Sequence, residues 1–194
     1  MRHCILAHVP VLLLFAAAVV LLGGAASRAR ADDTPEVTLV VVQDESSMER
    51  LIETNLTTAH KLTVSEKFVT PDDLYLQVPM KGDPMPAYHF TIDTQVANRD
   101  DTTHKIIERA VLVELNTTIK VPAEHRAAVL EVLNNLNRGK IFASVYIDTD
   151  GEIIFGWNLN VMAEGIPVEY VYDAVAREDK LWRGAYADIE KALQ

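Results

Sequence analysis

The spacing of apolar residues changes several times along this chain, and each change predicts an element. Val9 to Ala26 is an unbroken apolar run behind the short basic head Arg2-His3, closed by Ala29-Arg30-Ala31 with small residues where a signal peptidase reads them. The pattern predicts a secretory signal over residues 1–31, cut before Asp32. An uncut helical anchor is the rival, because a run of this length is about the minimum that spans a hydrocarbon core. Pro10, the Gly23-Gly24 pair, and Arg28 and Arg30 on the side that would cross argue for cleavage.

After a lead-in at 32–36, Val37 to Val42 is β-branched enough for a short strand. Asp44 or Ser46 then caps a helix to Leu56 that places Met48, Leu51 and Ile52 on one face. Leu62, Val64 and Phe68 alternate into a turn at Pro71-Asp72-Asp73, and Leu74, Leu76 and Val78 alternate out of it as far as Pro79. Pro79 to Pro86 reads as a loop, Tyr88 to Val96 as a strand with Phe90 and Ile92 on one face, and Asn98 to Thr103 as a polar turn. Ile106 to Val121 has a centre, Glu108 to Leu115, that would fit a helix, but its β-branched content predicts a strand.

Pro122 stands where a helix takes its first residue, and Val129, Val132, Leu133 and Leu136 keep a helical stripe until Gly139. Period two returns in Ile141, Ala143, Val145 and Ile147. It resumes beyond Asp148-Thr149-Asp150-Gly151 in Ile153, Phe155, Trp157, Leu159 and Val161, which predicts a β-hairpin. After the break at Gly165 to Pro167, a stripe through Val168, Val171, Tyr172, Val175, Trp182, Tyr186, Ile189 and Leu193 predicts a long closing helix. The charged block Arg177 to Lys180 and Gly184 are places for a bend. With no repeat and no long linker, residues 32–194 are expected to form a single α+β domain: a twisted antiparallel sheet with helices packed on one face.

The segment Leu133 to Val175 resembles the YbjN family, described as a "putative bacterial sensory transduction regulator". The likeness rests on Leu136-Asn137-Arg138 at a helix end, Phe142 and Tyr146 in a strand, the Asp148-Thr149-Asp150-Gly151 turn, Leu159, Gly165 and a helix beginning near Val168. The resemblance implies a fold like that of type III secretion chaperones, a homodimer, and a client polypeptide lying on hydrophobic surface. The region from Lys61 to Thr103 is only loosely similar, and the export signal departs from many members.

Charge narrows the partners. Residues 1–31 hold three of the 18 basic residues and none of the 28 acidic ones, so residues 32–194 carry a net charge of −13. That balance repels phosphate backbones and anionic bilayers, so neither nucleic acid nor, after cleavage, membrane is an expected partner. Cys4 is the only cysteine and lies in the signal, which leaves the mature chain without disulfide, thiolate nucleophile or zinc-thiolate site.

Candidate chemistry is sparse. Asp148, Asp150, Gly151 and Glu152 open like a calcium loop, but the twelfth position is Leu159 and the flanks read as strands, so a hairpin turn is the better reading. His60, His89, His104 and His125 show no local metal-binding spacing, and no serine sits in a nucleophile elbow. Glu108 with Glu114, or Asp148 with Asp150, offer carboxylate pairs of the kind glycoside chemistry needs. Among Trp157, Trp182, Tyr170, Tyr172 and Tyr186, Trp157 is expected inside; Tyr146 and Tyr170, on faces opposite the main stripes, are the candidate protein interface. No catalytic, cofactor or metal residue is assigned. The expectation is an exported, non-catalytic protein-binding module of the bacterial envelope, with a periplasmic small-ligand binder or hydrolytic enzyme using His and acidic residues as the alternative.

Overall fold

Hydrogen bonding and burial follow the predicted periods closely. A computed structural model of the chain describes residues 37–42, 44–70, 73–138 and 143–194. The expected signal at 1–31, the lead-in at 32–36, Pro71 and Asp72 of one turn, the Gly139 helix stop, and Ile141 and Phe142 lie outside the described residues, all of which belong to the unit Glu36–Gln194.

β1 (Leu39–Val40) precedes α1 (Glu45–Thr58), whose cap is Asp44: its carboxylate accepts from Ser47 N at 2.9 Å. Next come β2 (Ser65–Thr70), β3 (Asp73–Met80), β4 (Tyr88–Arg99) and β5 (Ile106–Lys120). A 3₁₀ turn at Ala123–His125 leads into α2 (Arg126–Arg138), the hairpin β6 (Ala143–Ile147) and β7 (Glu152–Val161), the short β8 (Ile166–Pro167) and α3 (Glu169–Ala192). The main sheet is antiparallel throughout in the order β2-β3-β4-β5-β7-β6, while β1 pairs with β8 in a separate ribbon. The fold is α+β, as the pattern predicts.

Register explains which face is dry. Val78, Phe90, Leu115, Phe155 and Val145 pair across one row and Leu76, Ile92 and Val113 across the next, and all are buried. Against them pack Met48, Ile52 and Leu56 of α1, Val129 and Leu133 of α2, and Val171, Val175, Trp182 and Ile189 of α3. Trp182 meets Phe155 at 5.7 Å and Tyr186 at 5.4 Å between ring centres, edge to face.

Four details depart from the expected pattern. The first strand shrinks to two paired residues because its partner β8 is that short. Leu62 and Val64 are half-buried in a connection rather than paired. β3 runs through Pro79 to Met80: β2 begins at Ser65 opposite Gln77, so β3 is already an edge at Pro79 and its missing N–H costs no ladder bond. Finally, α3 is one helix from Glu169 to Ala192, and within its charged block Glu178 is fully buried.

Candidate functional site

The face of the sheet away from the helices carries the opposite residues of each strand. Gln77, Thr91, Glu114, Gly156 and Ser144 pair across one row, and His89, Asn116, Ile154 and Tyr146 across its neighbour. Tyr146, from the edge strand β6, reaches back over β7 to donate its hydroxyl to Glu114 Oε1 at 2.9 Å on β5. Gly156 makes this crossing possible. A Cβ placed there would stand 3.7 Å from Tyr146 Cε1 and 3.4 Å from Ser144 Oγ, so a longer side chain would occupy the ring's place. Partial burial and the Glu114 carboxylate together hold the Tyr146 phenol well above its ordinary pKa of 10.0.

Tyr146 and Glu114 line a hollow of about 390 Å³ with Leu112, Ser144, Trp157 and Asn158. A second hollow of about 570 Å³ is bounded by Tyr170, Asp173, Ala174 and Arg177 of α3 together with Ile166 and the strand segment from Trp157 to Asn160. Trp157 and Asn158 line both, the first hollow lying on the helix-free face of the sheet and the second beside α3. Tyr146 and Tyr170, the expected interface residues, are 39% and 51% exposed and stand in adjoining hollows. Trp157 corrects an expectation: it packs on the core but is only half-buried, with the Arg177 guanidinium 5.6 Å from its ring centre.

The other aromatics are structural. Trp182 is buried, Tyr186 donates to Glu190 at 3.2 Å, and Tyr172 stacks on His60 with ring centres 3.5 Å apart. His60 Nε2 lies 2.6 Å from Glu169 Oε2, and Asn55 donates to Glu169 Oε1 at 2.8 Å, joining the end of α1 to the start of α3. His89 stands on β4, where burial lowers its pKa; His104 follows the turn after β4, and His125 ends the 3₁₀ turn. Glu108 and Glu114 stand six residues apart on one strand, roughly 20 Å at the usual rise, too far for a glycosidase pair. Asp148 works as the turn former: its Oδ1 accepts from Asp150 N at 2.9 Å and Glu152 N at 2.8 Å, with Gly151 at φ +85°.

One group of acids went unread in the sequence. Glu45 and Glu49 of α1 and Asp93 of β4 bring carboxylate oxygens within 4.8 Å of one another, the only group of three or more His, Cys, Asp or Glu among the described residues that does so. The i, i+4 spacing of Glu45 and Glu49 was the available signal, masked by the stripe of Met48 and Ile52 beside it. Burial, opposed by Thr94 and reinforced by Asp93 and Glu45, pushes the Glu49 carboxyl up to about 8.

The YbjN family model, described as "Putative bacterial sensory transduction regulator", matches residues 108–177. The match extends beyond the resembling segment to take in β5. It therefore contains both tyrosines, Glu114, Gly156, Trp157 and Arg177, and it excludes the acids at 45, 49 and 93. A comparison with curated proteins finds no match.

Proposed function

With residues 108–177 matching the YbjN family model, we propose that this chain is an exported, non-catalytic, regulator-like module of the bacterial envelope that binds another polypeptide. The contact surface is the pair of hollows running from Tyr146 across Trp157 and Asn158 to Tyr170. One observation carries this reading: two exposed aromatic rings flank the half-buried Trp157, inside the stretch that matches the family. Aromatic side chains give large contact area for little conformational entropy, and Tyr146 is already held in place by Glu114. The partner is a client segment or a second copy of the chain, in the manner of a secretion chaperone.

Affinity capture from envelope extract with the wild-type chain and with a Tyr146→Ala/Tyr170→Ala variant tests this. The reading expects specific polypeptides on the wild type and their loss on the variant; equal capture by both counts against it. The larger hollow supports a second reading, because about 570 Å³ is within the range of small-ligand sites. A small molecule retained by the wild-type chain and released by Arg177→Ala would favour that reading instead.

A further inference from the structure

We infer that Glu45, Glu49 and Asp93 form a binding site for a hard divalent cation, calcium first among them, where the N-terminal half of α1 meets β4. Their oxygens lie within 4.8 Å of one another. Two ligands on opposite sides of a calcium ion, at about 2.3–2.6 Å each, stand that far apart, so a small side-chain adjustment brings all three within reach of a single ion. Arg109 donates to Glu45 Oε2 at 3.3 Å, and Gln95 donates to Asp93 Oδ2 at 2.9 Å. An incoming divalent ion would displace the proton that burial keeps on Glu49, so that three carboxylates then face the one described guanidinium.

Glu49 supplies the second observation. It is fully buried. Its Oε1 accepts from Thr94 N and Thr94 Oγ1, each at 3.2 Å, at the point where β4 has run past its last pair with β3. Its Oε2 is buried and has no hydrogen-bond partner among the described residues. A carboxylate oxygen in that position costs free energy unless a proton or a cation meets it. Thr94 holds the carboxylate in one orientation, as an outer-shell donor does for a ligand. Glu45 and Asp93 are only partly buried, which leaves an entry path and room for water to complete the coordination. Oxygen donors without histidine or cysteine select hard cations, and calcium tolerates the irregular, incomplete set better than magnesium.

The test uses the purified protein, stripped of metal, titrated with calcium, magnesium and manganese chlorides by calorimetry. Manganese broadening of assigned amide resonances reports the location. The site predicts one calcium equivalent bound, melting temperature rising with calcium, and broadening at Glu49 and Thr94 ahead of Asp148 and Asp150. Glu49→Gln and Asp93→Asn each weaken binding about tenfold or more, while Asp150→Asn leaves it unchanged. Asp93→Asn, which alters a partly buried residue, serves if Glu49→Gln does not fold. No binding up to about 10 mM, beyond the weak end of protein calcium sites, overturns the inference and leaves Glu49 as a buried acid kept neutral by its own proton. Binding that survives both substitutions, or broadening centred on the 148–151 turn, overturns it as well.

Discussion

Glu178 occupies the inner face of α3 with both carboxylate oxygens buried and, among the described residues, without a hydrogen-bond partner. Burial first, then repulsion from Glu114, pushes its pKa up from 4.5 to about 9, the Leu115 amide acting in the opposite sense. In the unfolded chain the group titrates near its ordinary value, so the unfolded state releases the proton first as pH rises. The stabilising difference is complete below about pH 4.5 and is lost as pH rises towards 9. Wild-type protein should therefore be less stable at pH 8 than at pH 5, with Glu178 contributing on the order of 3 kcal/mol. Glu178→Gln should remove that part of the slope, and urea titrations of both proteins at the two pH values check it; identical slopes would contradict the assignment. Gly156 gives a second test. Gly156→Leu should lift the Tyr146 ring off Glu114 and return the phenol towards its ordinary titration, read by pH-dependent NMR, while Gly156→Ala should leave it raised. Neither feature was legible in the sequence. Periodicity reports where a side chain points, and a charged residue on a helix is read as solvated. Only the fold brings β5, β6 and β7 together so that a tyrosine, a glycine and a glutamate on three strands act as one.

Elements were far more readable, because their causes are local. The β6–β7 hairpin follows from alternation on both sides of an Asp-Gly turn, and α1 from an Asp cap ahead of a helical stripe. What locality leaves out is how edges are closed. Asn137, at the end of α2, donates to Val145 O and accepts from Val145 N, both at 2.8 Å, and so occupies the outer edge of β6 as a neighbouring strand would. Asn137→Ala should cost about 1–3 kcal/mol in urea unfolding, because two part-buried backbone groups lose their partners; a change within error would show that water replaces the amide freely. The β1–β8 ribbon depends on Gly165, whose φ is +75° and where a Cβ would stand 2.7 Å from Val40 O. Gly165→Ala should destabilise by about 2 kcal/mol from backbone strain together with that contact.

At the scale of the whole molecule, the described helices cover one face of the sheet, Tyr146 stands on the other and Tyr170 on α3, and the stretch that matches the family carries both tyrosines and the hollows beside them. Export is a separate claim with its own check: chain recovered from the envelope fraction should begin at Asp32, and a chain still beginning at Met1 would favour the anchor. Contact through the surface around the two tyrosines is the central claim, and site-specific photocrosslinking in living cells tests it most directly. A photoreactive phenylalanine analogue at Tyr146 or Tyr170 should give the same discrete polypeptide adduct, while the analogue at Leu130 or Ala187, exposed on α2 and α3, should give none. Adducts arising equally from all four positions, or absent from the two tyrosine positions, would contradict it.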